Sequence, residues 1–376
     1  MAEKFSLKDQ LFNPKTVHQI ASEIKQVYQA FEQADFEKEV TQAFEELELK
    51  ERIAHIRDMF AKYLPTDYSE ATTILLNALP PELDPDKTDD DFGEFIYAPY
   101  SDFVATFGCT GEHLEFSLGA LREMTKRFSA EYAIRAFINA FPEETFAMLR
   151  ECSQSANYHE RRLASEGTRP KLPWGKKLTT HYRQPLSLLD NLYTDTTRFV
   201  TRSVANHLND IAKIDSNLVV ETLKQWNASK KQNDKEMTFI TNHALRTLVK
   251  EGNPQALELL GYHTNPTITL HNFQLTDTEV KTGEYLEFSF DIEAMEDEAL
   301  IIDYIIYFQT KAGKLSPKVH KIKKLNLKKS EQVTINKQHL FKANMSTRKL
   351  YSGEHRLVLQ INGQEYFNVE FELLLG

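Results

Sequence analysis

One polar pattern recurs in three stretches of the sequence at an interval of 40 residues, and within each stretch its members stand four residues apart. The members are Arg162 and Glu166; Arg202, Asn206 and Asp210; and Asn242, Arg246 and Lys250. Residues four apart lie on one face of an α-helix, and a repeat of about 40 residues with helical spacing is typical of HEAT-like arrays. The pattern therefore predicts three helices stacked side by side, which offer one polar stripe to a shared concave surface.

The spacing of apolar residues changes near residue 264. Before it, apolar residues recur at helical intervals, as in the run after Asn13 and Pro14, a favoured start for a helix. Ser129 is a further candidate N-cap, which would place Glu131 in the first turn of its helix. Beyond residue 264, short segments alternate in polarity or are rich in β-branched and aromatic residues. The predicted strands cover residues 267–270, 285–290, 301–308, 318–324, 332–335 and 356–361, and Asn362-Gly363 predicts a tight hairpin.

Roughly seven short strands in about 110 residues are typical of an immunoglobulin-like sandwich. We therefore predict a mainly α protein of two domains. The first is a HEAT-like α-solenoid over residues 1–263, and the second is an all-β immunoglobulin-like sandwich domain over residues 264–376. The cysteine pair of antibody domains is missing from this region, so the likeness concerns the architecture alone.

The distribution of charge is more informative than its total. A net charge of −10 argues against a general nucleic-acid binder, which is usually basic. Two segments are nevertheless basic: residues 158–183 carry seven lysines and arginines against two glutamates, and residues 311–329 carry eight lysines and no acid. Such patches allow a polyanion to bind along one face of an acidic protein.

The number of cysteines and the distribution of apolar residues indicate the cellular compartment of the protein. Cys109 and Cys152 are too few for a disulfide scaffold, and the first ten residues lack the apolar core of a signal peptide. No apolar run approaches the length of a membrane span. We therefore expect a cytoplasmic protein without a membrane partner.

Residues 168–175 interrupt the helical pattern between the first and second repeats. The segment contains Pro170, Pro173 and Gly175, so it is not expected to be helical. Two interpretations remain open. Trp174 covers apolar surface in an ordinary loop, or a rigid loop presents Trp174 and basic groups at the edge of the concave face.

Glu166 and Asp210 are carboxylates among arginines. A surface that only holds DNA gains nothing from carboxylates, because they repel phosphate. Either they form ion pairs that pack the repeats together, or negative charge is needed at this place. Cleavage of an N-glycosidic bond develops positive charge on the sugar, which a nearby carboxylate stabilises. The sequence contains no Gly-rich phosphate loop, no Cys/His cluster at metal-binding spacing and no nucleophile motif.

Three segments resemble one known family. Residues 161–175, RRLASEGTRPKLPWG, look like the signature of the AlkC-type alkylpurine DNA glycosylases, which are relatives of the AlkD type. Residues 202–213, RSVANHLNDIAK, resemble the next repeat of that family, and residues 243–250, HALRTLVK, resemble the one after. The C-terminal sandwich resembles the immunoglobulin-like domain of one branch. The likeness covers most of the chain from about Phe128 onward.

The resemblance implies an enzyme that removes cationic bases such as 3-methyladenine from double-stranded DNA, as a monomer in the bacterial cytosol or nucleoid. It implies neither a cofactor nor a metal, and no extrusion of the base. Glu166 and Asp210 match the catalytic carboxylates, Glu131 a further acidic position, and Trp174 a contact with the sugar–phosphate. The expected DNA contacts are Arg162, Arg169, Arg202, Arg246, Lys176, Lys321 and Lys323.

Two alternatives accompany this interpretation. The chain could be a non-catalytic HEAT-repeat scaffold that binds DNA or a protein partner. The lysine-rich strands could be an ordinary solvated pair rather than a grip on flanking DNA. The two carboxylates on a basic face favour the enzyme.

Overall fold

The computed structural model describes residues 6–87, 92–343, 345 and 348–376. The chain divides into two compact units. One unit runs to Ile214 and includes Gln225–Ala244, and the other contains Asp215–Lys224 and Leu245–Gly376. The first is helical, and the second combines short helical segments with a β-sandwich. This is the predicted order of a HEAT-like helical region followed by an immunoglobulin-like sandwich.

Amphipathic helices with defined starts build the N-terminal half of the helical unit. Helices α1–α9 span Leu7–Leu11, Pro14–Val27, Gln33–Gln42, Leu49–Tyr63, Tyr68–Asn77, Ala98–Phe107, Leu114–Thr125, Ile134–Ala140 and Pro142–Cys152, with a 3₁₀ turn at Phe95–Tyr97. The predicted cap of α2 is confirmed, because the Asn13 side chain accepts hydrogen bonds from the N–H groups of Lys15 at 3.0 Å and Thr16 at 3.2 Å. No helix in the described ranges is both long and apolar enough to cross a membrane.

The helices that carry the repeated polar pattern pack in sequence. Helices α10–α16 span Tyr158–Glu166, Leu186–Leu192, Arg198–Ala212, Ser216–Ser229, Asp234–Ala244, Arg246–Lys250 and Pro254–Leu259. Helix α10 packs against α12, and α12 packs against α14, so the predicted stack is confirmed. The third repeat differs from the prediction. Leu245, with φ −87° and ψ 0°, separates α14 from α15, so Asn242 and Arg246 do not share one helix.

The prediction that Ser129 caps a helix is wrong. Helix α8 begins at Ile134, and the preceding Ala133 makes no side-chain cap. The Ser129 hydroxyl is instead engaged by Arg162, whose Nη1 donates to it at 2.7 Å. Because the Ser129 hydroxyl binds Arg162, it is not available to cap the start of the helix. Glu131 lies in the turn before α8 rather than in the first turn of that helix.

Two sheets form the sandwich. Strands β1–β8 span Ile268–Leu275, Glu279–Lys281, Tyr285–Ala294, Glu298–Gln309, Leu315–Leu327, Gln332–Leu340, Gly353–Ile361 and Gln364–Leu374. One sheet has the order β1-β3-β6 and the other β2-β8-β7-β4-β5, with β2 parallel to β8 and the remaining pairs antiparallel. Inward-facing apolar side chains alternate along β3 and β4, as in Phe288, Phe290 and Ile292. Each predicted strand overlaps one of these, whereas β2 and β8 were not among them.

The predicted hairpin at Asn362-Gly363 is confirmed and ties the sandwich to its own helical segment. Both residues have positive φ, 47° and 81°, as a type I′ turn requires. Gly252, with φ 70°, packs so closely that a Cβ on it would stand 2.8 Å from the Gly363 Cα. The last helix ends at Leu259 and the first strand begins at Ile268, so the chain changes character near residue 264. Residues 245–263 nevertheless cluster with the sandwich, and the domain boundary after residue 263 stays a prediction.

Candidate active site

Arg169 links two carboxylates that come from different helices. Its Nη1 donates to Glu166 Oε1 at 2.6 Å, and its Nε donates to Asp210 Oδ2 at 3.0 Å. Glu166 ends α10 and Asp210 lies in the last turn of α12, so the packing of these helices brings the carboxylates together. Both are buried, with 5% and 3% of their surface exposed.

A third carboxylate, Glu131, joins them through Arg162. Arg162 Nη1 donates to Glu131 Oε2 at 2.8 Å, and its Nη2 lies 3.9 Å from Glu166 Oε1. The Ser129 hydroxyl also donates to Glu131. The structure therefore places all three acidic residues predicted for the site in one network. We call this network, formed by Glu131, Arg162, Glu166, Arg169 and Asp210, the carboxylate cluster.

The two arginines of the carboxylate cluster are held inside the protein. Arg162 is 5% exposed and Arg169 is 8% exposed. The Arg162 guanidinium also lies over the rings of Phe92, at 5.2 Å, and Phe199, at 4.3 Å. From the sequence we expected both arginines to contact the DNA backbone. Side chains that are buried and paired with carboxylates present little surface to a phosphate, so the geometry favours a positioning role instead.

Burial and neighbouring charges act differently on the two glutamates. Burial raises the pKa of Glu131, an effect that Arg162 opposes and Glu166 reinforces. Burial also works against ionisation of Glu166, but Arg162 and Arg169, helped by a hydrogen bond from Ser203, outweigh it and hold the pKa of Glu166 below its usual value. Glu166 is thus the glutamate of the pair that is held ionised.

The carboxylate cluster contains more carboxylates than guanidiniums. Three carboxylates face two guanidiniums, and a further cation, Lys213, stands with its Nζ 3.8 Å from Asp210 Oδ1. The Lys213 side chain is one-third exposed, so water screens it more than the buried arginines. A buried carboxylate that is held ionised, as Glu166 is, stabilises positive charge that develops beside it.

Hydroxyl groups beneath the carboxylate cluster join α10 to α12. Ser203 Oγ donates to Glu166 Oε2 at 2.6 Å and lies 2.9 Å from the Ser165 hydroxyl. His207 is fully buried, with its Nδ1 3.0 Å from the Ser165 carbonyl oxygen. Burial lowers the pKa of His207 to about 3, so the ring is neutral and donates through Nδ1. These contacts fix the direction of the Glu166 carboxylate.

Arg135 holds the loop between α10 and α11 from below. Its guanidinium donates to three carbonyl oxygens, those of Gly167 at 2.9 Å, Arg169 at 2.8 Å and Lys176 at 2.6 Å. The side chain is 1% exposed, and burial lowers the pKa of Arg135 to about 10. One buried guanidinium therefore anchors the loop both before and after Trp174.

Trp174 itself stands out from this anchored loop. Its φ of 63° is unusual for a residue other than glycine, and its side chain is 64% exposed. Lys50 Nζ donates to its carbonyl oxygen at 3.0 Å and lies 5.9 Å from the centre of its ring. This geometry favours the rigid, presenting loop over a loop in which Trp174 covers apolar surface.

The remaining predicted residues lie outside the carboxylate cluster. Arg202 is partly buried on α12, and the Lys176 side chain is exposed on the loop. Arg246 begins α15 in the second unit, where Lys321 and Lys323 are exposed on β5. Their contacts with DNA stay predictions. Among the described residues, no group of three or more His, Cys, Asp or Glu side chains is placed to hold a metal ion.

Sequence reasoning missed Ser203, Arg135 and Lys50. Ser203 stands seven residues before Asp210, a spacing that shares one helical face and could have identified it. Arg135 and Lys50 lie outside the 40-residue pattern and act on backbone carbonyls, so no side-chain motif marks them.

Comparisons with known proteins agree over nearly the whole chain. Residues 269–375 match the family model described as the C-terminal Ig-like domain of the uncharacterised protein YhaZ. The chain is 34% identical to YhaZ of Bacillus subtilis, over 97% of this chain and 98% of that protein. It is 32% identical to the Pseudomonas fluorescens alkylpurine DNA glycosylase AlkC, solved bound to DNA containing an abasic site analog, with a TM-score of 0.87 over 98% of this chain and 100% of that one.

Proposed function

Because the chain belongs to the AlkC-type family of alkylpurine DNA glycosylases, in the branch with a C-terminal Ig-like domain, we propose that it excises cationic alkylated purines such as 3-methyladenine from double-stranded DNA. The substrate is expected in the bacterial cytosol or nucleoid, and the proposed active form is a monomer.

The observation that carries the proposal is the bridged pair Glu166–Arg169–Asp210. Two buried carboxylates share one guanidinium. Each keeps acceptor capacity for a ligand, because Arg169 and Ser203 use two of the roughly four acceptor sites of Glu166 and Arg169 uses one of those of Asp210. A cationic sugar placed beside them would gain electrostatic stabilisation in a site with little water. Pairing for packing alone needs no third carboxylate in the same network, yet Glu131 is there.

In the proposed reaction the bond between C1′ and the base nitrogen breaks, and its electrons leave with the base. The sugar becomes an oxocarbenium-like cation, which Glu166 and Asp210 stabilise. Water adds to C1′, and one of these carboxylates orients it and takes its proton. A base alkylated at a ring nitrogen is already positive and leaves as a neutral molecule. No protonated acid is therefore needed to activate it.

The other residues have supporting roles in this proposal. Glu131 accepts a hydrogen bond from Arg162 and so holds the guanidinium near Glu166. It is not itself placed beside the sugar cation in this proposal. Trp174 packs against the sugar–phosphate of the damaged nucleotide, and Arg162 and Arg169 position the carboxylates rather than the phosphates. The lesion is reached through its sugar while it remains in the helix. Proposed contacts with the flanking DNA are Arg202, Arg246, Lys176, Lys321 and Lys323.

A base-release assay tests the proposal. The full chain is incubated with duplex DNA that carries methylated purines, and the free bases are separated and quantified. We expect 3-methyladenine to be released, while undamaged DNA in the same buffer yields none. Binding of the DNA without release of 3-methyladenine above background would instead support the non-catalytic scaffold.

A further inference from the structure

Two aromatic rings form a corner around the guanidinium of Arg162. The ring of Phe92 meets the ring of Phe199 edge to face, with the ring centres 4.9 Å apart and the planes at 89° to each other. The guanidinium carbon of Arg162 lies 5.2 Å from the centre of the Phe92 ring and 4.3 Å from that of Phe199. The faces of aromatic rings attract cations, so the two rings hold the guanidinium between them.

The two walls of this corner differ in their exposure to water. Phe199 belongs to α12 and is 3% exposed, whereas Phe92 precedes the 3₁₀ turn and is 47% exposed. Arg162, which lies behind these rings, is buried. Phe92 is therefore the outer wall, which separates the guanidinium from solvent on this side.

The backbone beside Phe92 is fixed to the segment that also binds Arg162. Gly93 forms an antiparallel bridge with Phe128. Its φ is 76°, and a Cβ at this position would collide with a backbone carbonyl oxygen, so the close approach requires glycine. Ser129 follows Phe128, and its hydroxyl accepts a hydrogen bond from Arg162. One short segment therefore positions both Phe92 and a hydrogen-bond partner of Arg162.

Arg162 has a competing partner once DNA is bound. Inside the protein it donates to Glu131 at 2.8 Å and lies 3.9 Å from Glu166. DNA would offer phosphate oxygens, which match the geometry of a guanidinium equally well. An arginine side chain is long enough to exchange one partner for the other when nothing blocks its path. Retention of Arg162 in the carboxylate cluster therefore depends on the wall between it and solvent.

We propose that Phe92 is a positioning residue for base excision, which holds Arg162 on Glu131 and beside Glu166 and keeps it from the DNA phosphates. The inference rests on the proposed function, because it assigns Phe92 a part in that reaction. Phe92 acts through Arg162 and does not touch the reacting atoms. Arg162 in turn helps to hold the pKa of Glu166 below its usual value, so the ring supports the ionised form of that carboxylate.

A comparison of excision rate with DNA affinity tests this role. Phe92→Ala is expected to lower the single-turnover rate of 3-methyladenine excision at least about tenfold, because Arg162 is no longer held in position. Its affinity for undamaged duplex DNA should stay the same or rise, because the released guanidinium gains access to phosphate. Phe92→Tyr keeps the ring and should retain the rate to within about threefold. Phe116→Ala, at a partly exposed phenylalanine on α7, is the matched control.

Two results would overturn the inference. One is a loss of affinity in parallel with the loss of rate, which would make Phe92 a DNA contact, and the other is an alanine variant as fast as the control. If a melting curve shows that Phe92→Ala does not fold, Phe92→Leu takes its place. Leucine keeps an apolar cover but offers no aromatic face to the cation, so excision should fall by about threefold.

The chemical reactivity of Arg162 in the absence of DNA separates this inference from the proposed function. Phenylglyoxal modifies accessible guanidinium groups, and mass spectrometry locates the modified arginine. Arg162 should react severalfold faster in Phe92→Ala than in the unchanged chain or in Phe116→Ala. Equal reactivity would refute the role of Phe92 and leave the glycosylase proposal intact. Faster reaction in a protein whose unchanged chain releases no 3-methyladenine would refute the proposed function, and with it the part of Phe92 in excision.

Discussion

Glu166 and Asp210 share a single guanidinium, that of Arg169, although one ends α10 and the other lies near the end of α12. The planar guanidinium fixes the directions of both hydrogen bonds, whereas the compact ammonium group of a lysine at residue 169 would not reproduce this geometry. The separation of the two acidic groups is therefore set by the width of one side chain. The first two predictions test what each carboxylate gains from this arrangement.

Asp210→Asn is expected to abolish most of the excision while DNA affinity stays the same or rises. The amide oxygen still accepts from Arg169 Nε, so the network keeps its shape, but the negative charge that stabilises the sugar cation is lost. Single-turnover excision should fall by about two to three orders of magnitude, measured beside a DNA-binding titration. Asp234→Asn, at a surface ion pair, is the control. Parallel loss of affinity and activity would mean that Asp210 is structural.

Ser203→Ala is expected to shift the acid limb of the pH–rate profile upward. The Ser203 hydroxyl donates to Glu166 and helps to hold the pKa of Glu166 below its usual value. Without that donor the carboxyl group binds its proton at a higher pH, and activity is lost earlier on acidification. Excision rates of the variant and of Ser187→Ala, an exposed serine on α11, should be compared between pH 4.5 and 8. An unchanged profile would contradict the role of Ser203.

Arg135→Met is expected to lower the free energy of unfolding of the helical unit by about 3–5 kcal/mol, because three carbonyl oxygens lose a charged donor. The loop that carries Trp174 should loosen in the variant. Urea unfolding followed by tryptophan fluorescence measures the stability, and protease cleavage within residues 168–177 measures the loop. Arg150→Met, exposed on α9, controls for loss of charge. Cleavage at the control's rate would exclude Arg135 as the anchor.

The sandwich is expected to lose stability as the pH falls below about 6.5. Burial lowers the pKa of His320 to about 4 and that of His339 to about 3, so the folded chain resists protonation while the unfolded chain accepts it. The contribution is complete above the unfolded pKa and declines from about pH 6.5 towards pH 4. Calorimetry between pH 4.5 and 8 measures this slope. His320→Phe should flatten it, whereas His271→Phe on the exposed face of β1 should not.

Lys321→Ala combined with Lys323→Ala is expected to weaken DNA binding and to reduce its dependence on salt. Each phosphate contact that is lost lowers the slope of log K against log salt by about one. Binding titrations at several salt concentrations measure the slope, with Lys224→Ala, exposed on α13, as the control. Identical slopes would show that β5 is an ordinary solvated edge strand.

The sequence predicted the elements better than the contacts within the site. Periodicity located the stack of α10, α12 and α14 and most of the strands, because an element that buries one face repeats its apolar residues at a fixed interval. It missed the break between α14 and α15 at Leu245. This residue is apolar and fully buried, so it fits the helical spacing, although its backbone does not continue the helix. It also missed β8, whose exposed, mostly polar face weakens the apolar signal.

The functions of individual side chains were harder to predict. Arginines on a basic face suggested phosphate contacts, but whether a guanidinium points to solvent or to a buried carboxylate depends on residues 31 and 41 positions away. Arg162 and Arg169 were therefore expected to face DNA but are buried, whereas Glu131, Glu166 and Asp210 do lie in one network. Ser129 was given to a helix start because the sequence does not reveal that Arg162 competes for its hydroxyl.

The order of the carboxylate cluster along the chain has a consequence for synthesis on the ribosome. Glu131, Arg162, Glu166 and Arg169 emerge first, and these two carboxylates and two guanidiniums balance one another. Asp210 follows some 40 residues later, close to the lysine three residues after it, and is the third carboxylate of the network. A nascent chain can thus bury its first four charged groups as a neutral set. Under the proposed function, the chain gains its second catalytic carboxylate only when α12 docks.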